Sequence, residues 1–337
     1  MTDEKFVVKV EDMRRFVVDC MAAVGAKEEN GKKVADLLIA ADQRGHYSHG
    51  LNRLRIYMED CRSGNCDPNA QPTILRQKGA TAWIDGNNGL GAVVGDYCTR
   101  IAIELAQQNG VGWVVAKGSN HFGIAGYWPI LMKERGYLGI AMTNTSPSFS
   151  ARCGNQSDCY CCTSERKRRL CSRYGNVCYR GHYSKRVDFS SAVALGKIEL
   201  AERKGEKINE QWGADSKGRN TDDPTEITQQ GGYKGFGLGM SIEVLSSILA
   251  GATYGKKYPL CFAPNFNSRL QSYLDETRRL IPIDRTKKVL IPGDPEREHL
   301  AESGIGIVYG QAQLDHLLDI AKQNNVNAFN YRNNNAK

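Results

Sequence analysis

Val111-Gly-Trp-Val-Val-Ala116 is a near-continuous apolar run, and after Lys117 the chain enters Gly118-Ser-Asn-His-Phe-Gly-Ile-Ala-Gly126. A short run of this kind, rich in β-branched residues and closed by a glycine turn, reads as a strand buried on both faces. The pattern extends outward in both directions. Upstream, 81–84 reads as a short strand and 92–109 as a helix; downstream, the turn leads into another helix and 138–142 is again a strand. Strands of this buried type alternating with helices predict a mostly parallel sheet covered by helices.

Further out, both ends of the chain read as helical. Met13, Phe16, Val17, Cys20, Met21 and Val24 recur at helical spacing, with Gly25 placed as a stop. Val34, Leu37, Leu38 and Ala41 mark a second helix, and Leu51, Leu54, Met58 and Cys61 a third, with the polar loop 44–50 between them. Later helices are expected at 192–203, 234–249, 268–280 and 311–323, and 213–232 reads as a long surface loop. No internal repeat is present.

Composition is that of an ordinary globular chain, 41% hydrophobic and 24% charged over 337 residues. No apolar run approaches bilayer length, and the first nine residues carry charges of both signs without a cleavable apolar segment. A cytoplasmic protein without membrane partners is expected. The net charge of +8 raises the question of nucleic acid, but its distribution answers it. Between Arg152 and Arg186 there are nine Lys/Arg and two acids, and six of the eleven cysteines fall in the same window. The rest of the chain is close to neutral, so no nucleic-acid partner is expected.

Three stretches have residues suited to chemistry. Ser48, His49 and Arg53 lie around the start of the third helix, where His49 and Arg53 are spaced to share one face. A guanidinium fork holds a carboxylate, an imidazole moves a proton near neutral pH, and a neighbouring hydroxyl orients the ring. The same spacing also suits a capping histidine and a solvated arginine. The Gly118–Gly126 turn offers backbone N–H groups to phosphate and carries His121 to the strand's C-terminal edge; it also suits a plain tight turn. Gly86-Asn-Asn-Gly-Leu-Gly-Ala-Val-Val-Gly95 misses the G-x-G-x-x-G spacing by one residue and is read as a structural turn. Lys234, in a glycine-led helix start, and Gly293, in the turn-rich 291–297, are placed to meet a nucleotide's phosphates or ribose, or merely to begin a helix and close a turn.

Taken together, Arg44-Gly-x-x-Ser-His-Gly50 with Arg53 and Tyr57, Asp85-Gly-Asn-Asn-Gly-Leu-Gly91, Ser119-Asn-His-Phe-Gly123, Thr143-Asn-Thr145, Val193-Ala-Leu-Gly-Lys197, Gly231-Gly-Tyr-Lys-Gly235 and Pro292-Gly-Asp-Pro-Glu-Arg297 resemble the malate/L-lactate dehydrogenase family, in family order. The resemblance implies hydride transfer between NAD or NADP and a small 2-hydroxy or 2-oxo acid, and a homodimer. It implies a three-layer α/β/α fold with a mixed sheet and an atypical nucleotide-binding topology, flanked by N- and C-terminal helices. Its implied division is a helical, substrate and dimerisation part at 1–75 and 190–337, a cofactor-binding part at 76–152, and an aberrant, disordered segment at 153–189. By matching positions, Ser48 and His49 are the implied proton-relay pair, Arg53 the carboxylate clamp, and His121 a second proton-donor candidate. His121, Phe122, Gly123, Ile124, Ala125, Lys234, Gly235, Pro292, Gly293 and Asp294 are the implied cofactor contacts.

The chain departs from the family pattern after Thr145. Permitted codons for 154–163, read one nucleotide later, spell Gly-Thr-Asn-Pro-Ile-Ala-Ile-Ala-Ala-Pro; the same offset on 172–179 spells Leu-Asp-Met-Ala-Thr-Ser-Ala-Ile. Both are family segments, so about 153–188 reads as out of frame, and such a segment is expected to be irregular. A family strand is also missing between Tyr258 and Cys261. A competing reading makes Cys159, Cys162, Cys171, Cys178 and His182 a zinc site on a basic insert. Against it, the second half lacks a paired C-x-x-C and the window lacks hydrophobic periodicity. A damaged copy surviving only as a binding or dimerisation partner is the remaining alternative.

Overall fold

The computed structural model describes residues 5–143 and 285–333 throughout. Between them it describes 157–163, 169–175, 201, 205–208, 213–215, 219, 221–226, 229–230, 240–241, 244–248 and 266–282. The chain is mixed α/β and divides into two units, 1–139 with 294–337, and 140–293.

In the first unit, β1 (Lys5–Val8) precedes α1 (Val10–Ala22), α2 (Glu28–Asp42) and α3 (Leu54–Arg62). The apolar periodicity of α1 is its buried face: Met13, Phe16, Val17, Cys20 and Met21 are all inaccessible. Gly25 follows with φ +83°, the left-handed conformation that ends such a helix cheaply only at glycine. Three strands come next with one helix among them: β2 (Thr73–Lys78), β3 (Thr81–Gly89), α4 (Gly91–Asn109) and β4 (Trp113–Ser119). β3 pairs antiparallel with β2 and parallel with β4, with Ala82 opposite Val114 and Ile84 opposite Ala116, so the sheet is mixed. Ala82 and Ile84 bury against Leu105 of α4.

The opposite face of that sheet differs from expectation. Trp113 and Val115 are 54% and 48% exposed, so β4 is not buried on both faces. Among the described residues it pairs on one side only, as a sheet edge. After β4 the glycine turn leads into α5 (Tyr127–Glu134). Residues 139–143 form the expected strand, β5 (Gly139–Thr143), in a separate sheet.

That sheet, in the second unit, has the order β5-β6-β7, where β6 (Ser157–Thr163) and β7 (Arg169–Gly175) pair antiparallel from Ser157 opposite Gly175 to Thr163 opposite Arg169. Within the window expected to be irregular, the described residues 157–163 and 169–175 are paired strands. Runs containing Tyr, Cys and Thr are compatible with strands, and pairing two of them satisfies their backbone groups. The rest of the window lies outside the described residues. The expected loop at 213–232 is tied at its base by β8 (Gly213–Ala214) against β9 (Gln229–Gln230), and Arg219 clasps the buried Asp215 carboxylate at 2.8–2.9 Å. The helix expected near 268–280 is α6 (Phe266–Arg278). Of those expected at 192–203 and 234–249, only Ala201, Met240, Ser241 and a π-helical turn, Val244–Ile248, are described.

The chain returns to the first unit with α7 (Asp294–Glu302), β10 (Ile307–Gly310), α8 (Gln311–Gln323) and β11 (Tyr331–Asn333). β1 lies between β10 and β11, antiparallel to both. This small sheet was not expected from the sequence, because four-residue strands have no periodicity to read. Among the described residues, no helix is long and apolar enough to cross a membrane.

Candidate active site

α2 runs into the site with a carboxylate on its buried side. Asp42 follows Val34 and Leu38 at four-residue steps and is 2% exposed. Its Oδ2 accepts from the Tyr309 hydroxyl at 2.7 Å and from the Leu51 N–H at 3.3 Å, while Oδ1 is buried without a partner. Burial raises the Asp42 pKa from the ordinary carboxylate range to about 7, more than its two donors lower it. Gly50 makes this packing possible, since a Cβ there would fall 1.6 Å from Oδ1.

Asp42 and Tyr309 anchor the turn that carries the first candidate residues. Two 3-10 turns, Tyr47–His49 and Leu51–Arg53, flank Gly50. His49 and Arg53 therefore do not share one α-helical face as their spacing predicted; the extended Gly50 breaks the helix between them. They are linked instead through Ser48, whose hydroxyl lies 2.9 Å from His49 Nδ1 and whose carbonyl accepts Arg53 Nε–H at 2.8 Å. From behind, the Tyr47 hydroxyl donates to the Val308 carbonyl at 2.8 Å, and His46 meets Glu296 of α7 at 3.2 Å.

The second candidate segment is the turn after β4. Gly118 and Gly123 take φ of +61° and +75°. His121, between them, has its ring 5.9 Å from that of His49, centroid to centroid. Its Nδ1 is 2.7 Å from the hydroxyl of the buried Tyr57 and accepts the Gly123 N–H at 3.2 Å. A backbone N–H can only donate, so Nδ1 is an acceptor, the phenol donates to it, and the neutral ring has its proton on Nε2. Desolvation of the packed Nδ1 edge lowers the His121 pKa, and the Arg53 charge lowers it further, although the residue as a whole is exposed. Ser48, His49, Arg53 and His121 are thus gathered in one place, and Tyr57 is added to them. The Tyr57 bond was not legible in the sequence, because 64 residues separate the partners.

The residues that the resemblance assigned to a cofactor are distributed differently. Phe122 stacks on Trp128, whose indole N–H donates to the Phe122 carbonyl at 3.1 Å. Gly123, Ile124 and Ala125 are buried, so only their backbone can face a ligand. Pro292 and Gly293 form a turn with Gly293 at φ +91°, and Asp294 is the first residue of α7, paired with Arg297. The stretch 291–297 is therefore a turn and a helix start, not a loop throughout. Lys234 and Gly235 lie outside the described residues. The glycines of 86–95 serve close packing: a Cβ on Gly86 would lie 2.6 Å from the Gly118 carbonyl oxygen, one on Gly91 2.2 Å from that of His121, and one on Gly95 2.4 Å from the Trp128 ring.

Among the described residues, no group of three or more His, Cys, Asp or Glu is gathered to hold a metal ion. The side chains of Cys159, Cys162, Cys171, Cys178 and His182 lie outside them.

The profile of the family described as malate/L-lactate dehydrogenase matches residues 8–158 and 181–318. A malate dehydrogenase of Pyrococcus abyssi is 35% identical over 273 residues, covering 75% of this chain and 72% of that protein. The L-sulfolactate dehydrogenase of Methanocaldococcus jannaschii is 31% identical over an alignment of 354 residues, covering 96% and 99%. The solved structure of the sulfolactate dehydrogenase from that organism matches with a TM-score of 0.64 at 29% identity, over 95% of this chain and 98% of that one. The family match stops at 158 and resumes at 181, inside the window that departs from the family pattern.

Proposed function

The chain belongs to the malate/L-lactate dehydrogenase family, and on that premise we propose that it transfers a hydride between NAD or NADP and a small 2-hydroxy acid such as malate or lactate. The observation that supports this most directly is the fixed Nε2–H of His121 beside the Arg53 guanidinium. His, Arg and Ser side chains hold a carboxylate and move a proton but carry no hydride, so this donor set fits a reaction in which a nicotinamide supplies or accepts the hydride.

Arg53 holds the substrate carboxylate as a charge-assisted fork. His121, neutral and with its proton on Nε2, donates a hydrogen bond to the 2-oxygen, where negative charge develops as hydride reaches the carbon. His49, with Ser48 on its Nδ1, carries the proton to or from that oxygen. Backbone of the 118–125 turn, with Lys234, Gly235, Pro292, Gly293 and Asp294, holds the nicotinamide nucleotide. The active form is a homodimer of a cytoplasmic enzyme, which sedimentation of the purified chain checks.

The test is absorbance of the reduced nicotinamide during turnover of 2-oxo acids, with both cofactors. It is run on this chain and on one carrying the frame-shifted readings of 154–163 and 172–179. No turnover by either chain with oxaloacetate, pyruvate or sulfopyruvate defeats the proposal. The break in the family match at 159–180 favours a second reading, a catalytically impaired member; activity in the repaired chain alone supports that reading for the present one.

A further inference from the structure

Two thiols stand outside the chemistry proposed above. Cys61 lies in the last turn of α3 and Cys66 just beyond it, after Arg62, Ser63, Gly64 and Asn65, all exposed. The chain doubles back between them: Gly64 takes φ +75° and donates its N–H to the Cys61 carbonyl at 3.3 Å, and the Cys66 N–H donates to the Asp60 carbonyl at 3.0 Å. This fold-back brings the two side chains together, thiol to thiol, and neither is in a disulfide. Cys66 is 1% exposed, whereas Cys61 is only partly covered.

We propose that Cys61 and Cys66 are a redox-active dithiol, which a small-molecule disulfide oxidises to an intramolecular disulfide, and that its state reaches His121 through Asn120.

The thiols divide the work by position. Cys61 is the sulfur that a reagent can reach. Its hydrogen bond to Cys66, together with burial, raises its own pKa, and the same bond lowers that of Cys66, helped by Asn120. Cys61 gives its proton to solvent and attacks one sulfur of the reagent, and the first reagent thiolate leaves and takes up a proton. Cys66 then gives its proton to solvent, attacks the Cys61 sulfur of the mixed disulfide and expels the second thiolate, which is protonated in turn. Two electrons and two protons leave the chain, and the reagent disulfide becomes two thiols.

Asn120 connects the pair to the neighbouring turn. Its side chain meets Cys66, donates to Asp60 Oδ2 at 3.0 Å, and accepts the His121 N–H at 2.7 Å. A disulfide takes the Cys66 sulfur out of this contact and changes what holds Asn120 in place.

The full-length chain is incubated with oxidised glutathione, alkylated and digested with trypsin. Trypsin cuts after Arg55, Arg62 and Arg76, so the disulfide joins peptide 56–62 to peptide 63–76. The expected product is that linked pair, lost on reduction, with Cys61→Ser and Cys66→Ser each stopping short of it. Recovery of both peptides separately alkylated overturns the proposal, and so does glutathione retained on Cys61 beside an alkylated Cys66. A two-dimensional amide spectrum should show the His121 N–H resonance shift on oxidation; an unchanged resonance overturns the coupling. Neither readout needs a substrate, so the result is independent of the proposed reaction.

Discussion

The Tyr57 hydroxyl lies 2.7 Å from His121 Nδ1, so a side chain of α3 joins the Gly123 N–H in holding the tautomer of a ring on the turn after β4. Tyr57→Phe removes that donor and leaves Gly123 N–H alone on Nδ1. One neutral hydrogen bond contributes about 1 kcal/mol, so kcat should fall roughly fivefold to tenfold with KM little changed. Steady-state kinetics checks this. A larger change in KM than in kcat would place Tyr57 in substrate binding instead.

Arg53 has two expected effects. Arg53→Ala should raise the substrate KM by roughly tenfold to a hundredfold, as loss of a charge-assisted clamp of about 1.5–3 kcal/mol requires. It should also raise the His121 pKa, since the guanidinium charge helps to depress it. Nuclear magnetic resonance titration of the His121 ring reads the second effect without any substrate. No upward movement would mean that Arg53 does not act on the ring.

His49 and His121 are separable by their pH profiles. Either alanine variant should lower kcat, by roughly a hundredfold or more for the proton carrier. In the proposed division, His49→Ala abolishes the ionisation seen in the rate profile, whereas His121→Ala lowers the rate and leaves that ionisation in place. The opposite outcome exchanges their roles.

Asp42 gives a prediction for stability. Its pKa is about 7 in the folded chain against 3.8 ordinarily, so between roughly pH 4 and pH 7 the unfolded chain has lost this proton and the folded chain still holds it. Its contribution is complete below that window, falls as pH rises through it by up to about 1.4 kcal/mol per unit, and then levels off. Asp42→Asn has no such proton. Denaturant midpoints should show the wild type losing stability relative to Asp42→Asn from pH 4 to pH 7, and a constant difference would show that Asp42 is ionised when buried.

These residues show what a sequence reveals and what it does not. Helical periodicity was legible in α1, and the terminal helix was expected at the bounds of α8, because one apolar stripe lies against the core in each. Ser48, His49, Arg53 and His121 were legible as residue types and, through the resemblance, as members of one site, but the contacts that hold them together were not. The break at Gly50 and the Tyr57 bond arise from tertiary packing. Asp42 did leave a sign, a carboxylate continuing the buried stripe of Val34 and Leu38. The exposure of Trp113 and Val115 left none, because an apolar run does not say how many of its faces the rest of the chain will cover.

Three glycines fit beneath the histidine turn so closely that main chain meets main chain or an aromatic ring: Gly86 at Gly118, Gly91 at His121 and Gly95 at Trp128. A turn held this way has little room to swing. Its imidazole is already in position when a ligand arrives, and association loses none of its free energy to ordering that segment. Any closing motion over the substrate must therefore come from parts of the chain other than the one that presents the N–H.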